Sequence, residues 1–345
     1  MANDLHTQLP AAEKASGSSG EANRHIGALD GWRGISIVLV IAAHLLPLGP
    51  KSWQLNVATG VLGMVIFFVL SGFLITSILL TGVSVADFVS RRFFRVIPLA
   101  WLYFAIAMLF SDTSPATWWS HFLFYANLPP QDLVPITAHM WSLCVEMQFY
   151  VCIAIWYALA GTRGLSLLPV IALAFTALRA WHNVYATSIT YDRIDEILAG
   201  CILALVYHGR LGHKMLHWVR KTPQWLVALL LLVSCVDFGR LYLLRPYLAA
   251  LLVGTTILNP HTRAVRWLGA QPLVFLAGIS YALYVFHPML AYTWLGSGDL
   301  VEKYAKRPLL FAILLLLAYL STHFYERRWI ALGKRLSQSL KPISR

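Results

Sequence analysis

The chain has 345 residues, of which 58% are hydrophobic and 12% are charged, and its mean hydropathy is +0.65. Soluble domains carry about 25% charged residues, so this composition excludes an ordinary soluble protein. Apolar runs of about 20 residues recur along the chain, and each is long enough to cross a hydrocarbon core of about 30 Å as a helix. Because only helices and closed barrels satisfy their backbone in lipid, we predict an all-α, multi-pass integral membrane protein.

The formal net charge is +12, which in a soluble protein would suggest a nucleic-acid partner. Here the basic residues concentrate in alternate loops between the apolar runs, as membrane topology requires. With the N-terminus in the cytoplasm, 19 of the 27 Lys and Arg residues fall in cytoplasmic segments, and the long loop 112–138 has none. The charge therefore predicts no nucleic-acid binding, and it places both termini on the cytoplasmic side of the inner membrane.

The apolar windows between polar breakers predict ten membrane spans in chain order. They are 33–48, 58–80, 95–111, 139–160, 165–182, 192–208, 224–239, 243–259, 272–295 and 308–326. The segment 118–128 is apolar and aromatic but short, so we predict a re-entrant or interfacial piece. We expect a disordered cytoplasmic tail at 1–24, a transmembrane domain at 25–328 and a basic amphipathic tail at 329–345 on the anionic inner leaflet.

The sequence LDGWRGISIVLVIAAH, residues 29–44, forms most of the first span and puts charged and titratable groups into an apolar helix. Eleven residues separate Arg33 from His44, and at 100° per residue this is about 20° more than three full turns. The two side chains therefore share one stripe, about 16 Å apart along the axis. Intramembrane ionisable residues usually face a bundle interior or a water-filled path and mark function. The alternative is a histidine that bonds a neighbouring helix for structure alone.

Two further spans carry titratable groups at a depth similar to that of His44. Glu146 lies about two turns into span four from the outer side, and His287 lies about 15 residues into span nine from the inner side. All three residues thus fall in the outer half of separate helices. A histidine–carboxylate set in a low-dielectric site is what general-base chemistry uses, so we predict that His44, Glu146 and His287 are catalytic.

The basic segment RRFFRVIP lies at the predicted inner end of span three. Topology alone favours basic residues there, and this is one explanation of Arg91, Arg92 and Arg95. The alternative is that these arginines, with Arg33 at the same level, bind a polyanion such as a pyrophosphate or a 3′-phosphate.

Three smaller features favour structural roles. Pro98 is expected to begin the helix of span three, because a proline costs nothing in the first turn. Ser71 and Gly72, within FFVLSGFLI, are expected to allow close approach of a neighbouring helix. The four cysteines lie in apolar segments without paired metal spacing, so we predict buried, small apolar side chains and no metal.

Six segments, in this order, resemble the membrane acyltransferase-3 family, whose members O-acylate polysaccharides, lipopolysaccharide and related acceptors. They are LDGWRGISIVLVIAAH, FFVLSGFLI, RRFFRVIP, WSLCVEMQFY, YDRIDEILAGCILA and SYALYVFHP, and together they extend from about residue 27 to 328. Each segment is weakly specific by itself, whereas six in order are highly specific.

The resemblance assigns roles to residues that match the family's motifs. The arginine–histidine pair and the motif glutamate fall on Arg33, His44 and Glu146. The basic motif and a further arginine–aspartate pair fall on Arg91, Arg92, Arg95, Arg193 and Asp195. We add four candidates for substrate contacts: Trp141, Arg193, Asp195 and Tyr281. The departures are mild, such as Cys144 where a small Ser or Ala is usual and Arg327 where a proline commonly follows the glutamate.

The resemblance implies a donor and an acceptor class. The donor is a cytoplasmic acyl-CoA, usually acetyl-CoA, and the acceptor is a hydroxyl of an envelope or exported polysaccharide or glycolipid. No segment resembles an extracytoplasmic SGNH domain, so we expect the stand-alone form. Two alternatives remain, a proton-coupled transporter or flippase that uses buried His and Glu as a relay, and a structural bundle without chemistry.

Overall fold

The computed structural model describes residues 19–130, 132–236 and 239–339, and the regular secondary structure of these residues is helical, as predicted. The helices are α1 (Ser19–Leu45), α2 (Leu55–Leu80), α3 (Val85–Leu109), α4 (Pro115–Phe122), α5 (Trp141–Gly164), α6 (Leu168–His182), α7 (Ile194–Tyr207), α8 (His213–Lys221), α9 (Gln224–Ser234), α10 (Arg245–Ile257), α11 (Arg263–Leu268), α12 (Gln271–Gly278), α13 (Ser280–Ala291), α14 (Leu300–Ala305), α15 (Arg307–Leu320) and α16 (Arg327–Ser339). A π-helix, Ser321–Glu326, links α15 to α16.

Several helices are long and apolar enough to cross a membrane, which confirms the class of integral membrane protein. The five such stretches are Gly27–Leu45, Leu55–Leu80, Val85–Leu109, Pro135–His182 and Arg307–Ser337. Helices α12 and α13 make a sixth if they are counted as one broken span. Each of the ten predicted windows contains helix, and the total of ten spans stays a prediction. Helix α4 has eight residues, too few to span, as expected for a short piece in this region.

The chain folds as two compact units, each assembled from separate stretches of sequence. The first unit contains the described part of Met1–Gly82, together with Ala160–Thr187 and Tyr191–Gly278. The second contains Val83–Leu159, Ser188–Thr190 and the described part of Ile279–Arg345. Most of the predicted tail 1–24 and the last residues of the predicted tail 329–345 lie outside the described residues.

Glycines set the close approach of α2 to α7 in the first unit. A Cβ at Gly72 would lie 1.9 Å from the carbonyl oxygen of Ile197, and one at Gly200 would lie 2.1 Å from that of Val69. No side chain fits into these contacts, so each glycine is required by the backbone of the facing helix. The predicted packing role of Gly72 is confirmed.

Helix α1 lies against α11 and α12 in the same way. A Cβ at Gly31 would be 2.2 Å from the carbonyl oxygen of Leu268, and one at Gly34 would be 2.4 Å from that of Leu273. On another side of α1, Trp32 Nε1 donates a hydrogen bond of 2.9 Å to Oγ1 of Thr256 on α10. These contacts fix the rotation of α1.

In the second unit, α3 begins at Val85 and not at the predicted residue 95. The side chain of Ser84 caps the helix by accepting a hydrogen bond of 3.1 Å from the backbone N–H of Asp87. The arginines of RRFFR interrupt the apolar window, and this caused the error in the predicted start. Their long stems pack along a helix while the charged heads find partners.

Pro98 lies inside α3, so the prediction that it begins this helix is wrong. Tyrosine hydroxyls supply hydrogen bonds near the proline: Tyr281 donates to the carbonyl of Val96 at 2.6 Å, and Tyr325 donates to that of Pro98 at 3.2 Å. Pro98 leaves the carbonyl of Phe94, one turn earlier, without its helical N–H, and the two tyrosines bond carbonyls of the neighbouring residues.

Helix α16 packs along α3. The ring of Trp329 stacks on Phe94 with centroids 6.3 Å apart, and the hydroxyl of Ser337 donates to Oδ1 of Asp87. The predicted contact of this helix with the inner leaflet stays a prediction. Three of the four cysteines are buried as predicted, whereas Cys152 is exposed because it lies on the outward face of α5.

Candidate active site

His44 lies in the last turn of α1, and the helix backbone fixes its ring. Nδ1 is 2.8 Å from the carbonyl oxygen of Val40, one turn earlier. Because a carbonyl only accepts, Nδ1 carries the proton, and in the neutral ring Nε2 is the basic nitrogen. The side chain is exposed on the chain.

Arg33 lies on the same helix as His44, as the spacing predicted. Its Nη1 is 2.9 Å from Oδ1 of Asp30, and Asp30 is buried while Arg33 is half-buried. The ion pair holds the guanidinium at the beginning of the predicted span. A phosphate bound by Arg33 would share it with this carboxylate.

Glu146 is buried on α5, and its Oε1 accepts a hydrogen bond from the hydroxyl of Tyr150, one turn later. The guanidinium of Arg92 lies 5.8 Å from the centroid of the Tyr150 ring and within electrostatic reach of Glu146. The structure thus brings a predicted catalytic carboxylate together with a predicted phosphate-binding arginine. The sequence placed them at opposite ends of their spans. The earlier start of α3 explains the difference, since it puts Arg92 within the helix.

His287 is fully buried on α13, and its Nδ1 is 2.7 Å from the carbonyl oxygen of Tyr284. Its neutral ring therefore also has Nε2 as the basic nitrogen. The ring contacts that of His139, with centroids 5.1 Å apart. The hydroxyl of Tyr284 donates to the carbonyl of His139 and lies 2.5 Å from Oγ of Ser142. Our sequence prediction missed His139, although it lies two residues before Trp141, the first residue of the WSLCVEMQFY motif.

The other two arginines of the basic motif have different surroundings. Nε of Arg91 is 2.7 Å from Oδ1 of Asp87, one turn earlier, so an ion pair already holds this side chain. Arg95 is exposed and lies within electrostatic reach of the buried Glu326. Arg92 and Arg95 therefore remain the better candidates for a phosphate.

Glu326 is a functional candidate that the sequence analysis missed. It ends the π-helix Ser321–Glu326, and π-helical turns occur frequently at functional sites. Its Oε1 accepts hydrogen bonds from Oγ1 of Thr322 at 2.8 Å and from Oγ of Ser321 at 3.5 Å. A buried carboxylate within a predicted span was the available signal.

Two predicted substrate contacts lie in the second unit. Tyr281 donates to the carbonyl of Val96 and lies within electrostatic reach of both Glu146 and Glu326. Trp141 is half-buried and is the first residue of α5. Tyr281 thus belongs to the surroundings of Glu146, whereas Trp141 lies five residues before that carboxylate on the same helix.

The other two, Arg193 and Asp195, belong to a buried ion network at the beginning of α7. Oδ2 of Asp195 is 3.1 Å from Nη2 of Arg179 and accepts a hydrogen bond from Thr176 at 3.1 Å. Nη2 of Arg193 is 3.0 Å from Oε2 of Glu196. Arg245 reaches the same Glu196 with Nη2 3.4 Å from Oε1. These interactions between buried charges favour a role in holding α6, α7 and α10 together.

The predicted site residues are divided between the two units. His44, Arg33, Arg193 and Asp195 belong to the first unit, and the others belong to the second. The assignment of His44, Glu146 and His287 to one catalytic set stays a prediction. Among the described residues, no group of three His, Cys, Asp or Glu side chains could hold a metal ion.

Residues 26–325 match the model of a family described as "Acyltransferase domain", and the chain belongs to this family, the acyltransferase-3 family that the six motifs resemble. The family resemblance is therefore confirmed over most of the chain. The match includes all of the residues that we predicted to be catalytic or to bind phosphate. No solved structure matches this chain.

The chain is similar to bacterial proteins that are named as O-acetyltransferases. It is 28% identical to the Bacillus subtilis protein named "Putative peptidoglycan O-acetyltransferase YrhL", over 88% of this chain and 55% of the relative. It is 26% identical to the peptidoglycan O-acetyltransferase OatA of Listeria monocytogenes, over 79% of this chain and 50% of the relative. It is 24% identical to the O-acetyltransferase OatA of Staphylococcus aureus, over 76% of this chain and 50% of the relative. The chain spans about half the length of the curated relatives it matches.

Proposed function

We propose that this chain is a membrane O-acyltransferase that moves an acyl group, in the simplest case acetyl, from cytoplasmic acyl-CoA to a hydroxyl of an envelope or exported glycan. The observation that carries the proposal is the orientation of His44 in a chain that belongs to the acyltransferase family. Its Nδ1 donates to the carbonyl of Val40, so Nε2 is the nitrogen that takes a proton. Relatives named as peptidoglycan O-acetyltransferases support a cell-wall glycan as the acceptor class.

The proposed reaction needs one proton acceptor and one leaving group. Nε2 of His44 takes the proton of the acceptor hydroxyl, and the oxygen of that hydroxyl attacks the thioester carbonyl. The tetrahedral intermediate then expels the CoA thiolate, which takes up the proton from the imidazolium, so the products are an ester and free CoA. In a second route, Nε2 attacks the thioester carbonyl and expels the CoA thiolate. The acceptor hydroxyl then takes the acyl group from the acylated imidazole, which restores Nε2, and the hydroxyl proton passes to the thiolate.

Glu146 and His287 have supporting roles in the proposal. The carboxylate of Glu146 stabilises positive charge during the reaction, and Tyr150 holds it in one orientation. His287 is the second imidazole with a defined tautomer, and it shuttles protons with His139. We assign contacts with the acceptor to Trp141 and Tyr281, and an indirect role in positioning α7 to Arg193 and Asp195.

The donor is proposed to bind through its phosphates. Arg92 and Arg95 supply the main contacts, since Arg91 is held by Asp87 and Arg33 by Asp30. Guanidinium groups bind phosphate oxygens through two parallel hydrogen bonds, which a CoA pyrophosphate or 3′-phosphate can use. The topology that goes with this proposal has ten spans, with both termini in the cytoplasm and the arginines reached from that side.

A proton-coupled transporter or flippase is the second candidate function. The contact between the buried rings of His139 and His287 favours it, because paired histidines can relay protons through a membrane. Purified protein in liposomes with labelled acetyl-CoA and a cell-wall glycan separates the two functions. The acyltransferase releases free CoA and labels the glycan. A transporter leaves the acetyl-CoA intact, and that result would refute the proposal.

A further inference from the structure

Arg307 is a buried cation without a carboxylate partner among the residues that the structure describes. It is the first residue of α15, and it is 5% exposed. Within the described ranges, its Nε and Nη1 have no hydrogen-bond partner. Its guanidinium lies 5.7 Å from the ring centroid of Tyr304, and this cation–π contact offsets only part of the cost of burying a charge.

The neighbouring acidic side chains are already used. Oε1 of Glu302 accepts from Nζ of Lys306, which also donates to the carbonyls of Trp294 at 3.1 Å and Ser297 at 3.4 Å. Oδ1 of Asp299 caps α14 by accepting from the backbone N–H of Glu302 at 2.8 Å. Neither carboxylate is therefore the counter-charge of Arg307.

The beginning of α15 adds positive potential at the same place. This helix has 14 residues, and no side chain caps its N-terminus. An uncapped helix N-terminus favours an anion, because its free N–H groups and the helix dipole both attract negative charge. Pro308 removes one N–H from this turn, which leaves the guanidinium as the main donor.

Membrane topology does not explain these basic residues. The loop between predicted spans nine and ten contains three basic residues in a stretch of five, Lys303, Lys306 and Arg307. The charge distribution places this loop on the outer side. The positive-inside rule disfavours basic residues in a short outer loop. A ligand that carries negative charge at the membrane surface would account for them.

We propose that Arg307 and the N-terminus of α15 bind the phosphate group of a membrane-embedded ligand. A planar guanidinium with unused donors fits a phosphate ester better than a carboxylic acid ester or a hydroxyl. The phosphate has two possible carriers, a phospholipid headgroup and a polyprenyl phosphate that carries a glycan. The choice of a polyprenyl phosphate as carrier rests on the proposed function, because this carrier would present the acceptor. The phosphate site itself does not rest on the proposed function.

Native mass spectrometry of the delipidated full-length protein in detergent tests this site with three probes. They are phosphatidylglycerol, a polyprenyl phosphate and a diacylglycerol that has no phosphate. We expect the wild type to prefer the phosphorylated probes. Arg307→Gln should weaken their binding by about tenfold or more, and Arg307→Lys should restore part of it. The matched control is Arg240→Gln, an exposed arginine in another predicted outer loop, which should bind as the wild type does.

The proposal is overturned if Arg307→Gln keeps the wild-type affinity for both phosphorylated probes. It is also overturned if the wild type binds diacylglycerol as tightly as phosphatidylglycerol, and this comparison decides the question if the glutamine variant does not fold. The phosphorylated probe that the wild type binds more tightly, the polyprenyl phosphate or phosphatidylglycerol, identifies the carrier. Because the assay measures binding only, its result is independent of whether the protein transfers an acetyl group.

Discussion

The hydroxyl of Tyr150 donates a hydrogen bond to Oε1 of Glu146, one turn earlier on helix α5. The ring of the same tyrosine makes a cation–π contact with the guanidinium of Arg92. One aromatic side chain thus connects a carboxylate that we assign to the chemical step with an arginine that we assign to donor binding. The two roles of Glu146, in chemistry and in holding Arg92, make different kinetic predictions.

Glu146→Gln keeps the shape of the side chain and removes its charge. We expect kcat to fall by about 100-fold or more, while KM for acetyl-CoA stays nearly constant, because a transition-state interaction is lost. Tyr150→Phe keeps the ring near Arg92 and removes the hydroxyl that bonds Glu146, while the charge of Glu146 stays, so its loss in kcat should be smaller. A raised KM with unchanged kcat in Glu146→Gln would show that the carboxylate only positions Arg92.

The arginines of the basic motif predict a graded effect on donor binding. Arg92→Ala and Arg95→Ala should each weaken CoA binding by about 10- to 150-fold, since each loses a charge-assisted contact of roughly 1.5–3 kcal/mol. Lysine should restore only part of the affinity, because a point charge cannot replace the guanidinium fork. The matched control is Arg91→Lys, because an ion pair with Asp87 already holds the side chain of Arg91. Wild-type CoA affinity in both Arg92→Lys and Arg95→Lys would leave topology as their only role.

The contact between α2 and α7 predicts a loss of stability. In Gly72→Ala the new Cβ would meet the carbonyl of Ile197, so the helices must separate. We expect the free energy of unfolding to fall by about 1–3 kcal/mol, measured by thermal unfolding in detergent. Gly278→Ala is the control, because nothing lies within 4 Å of its Cβ position. Equal unfolding midpoints of the two variants would contradict the proposed close packing.

His121, on helix α4 outside the spanning helices, predicts a dependence of stability on pH. Burial lowers the pKa of its imidazole, whose Nε2 is 2.8 Å from Oγ1 of Thr137. A lowered pKa means that the unfolded chain binds a proton more readily, so this group destabilises the fold as pH falls below its unfolded pKa of about 6.5. The thermal midpoint of the wild type should fall from pH 7.5 to 5.5 more steeply than that of His121→Gln.

The exposed His217 supplies the control for this comparison. His217→Gln should keep the steep pH dependence of the wild type, since this change leaves the buried imidazole of His121 in place. If His121→Gln loses stability with acid as steeply as the wild type, the buried imidazole is not the group responsible.

The sequence predicted the helical class, the membrane location and the family, because each depends on local composition or on motifs in a fixed order. It also predicted the packing role of Gly72. The beginning of α3 was predicted wrongly because hydropathy windows stop at charged residues, whereas the cap formed by Ser84 depends on a single hydrogen bond. Sequence around Ser84 contained that signal, since a serine followed three residues later by an acidic residue commonly begins a helix.

Contacts between distant segments could not be predicted. His139 and His287 are 148 positions apart, and nothing local indicates that their rings meet. The π-helix that ends at Glu326 is a local change in backbone hydrogen bonding, which hydropathy does not register. The buried network of Arg193 and Asp195 likewise needs Arg179 and Arg245 from other helices.

The proposed role of His44, whose Nε2 is the base of the acyl transfer, is tested by the rate of CoA release by His44→Ala. The measurement uses purified full-length protein in liposomes with acetyl-CoA and a cell-wall glycan, with CoA binding determined on the same samples as a control for folding. We predict a loss of rate of about 10²- to 10⁴-fold with unchanged CoA affinity, the amount that general-base catalysis supplies. A rate above about one tenth of the wild-type value would show that His44 is not the general base.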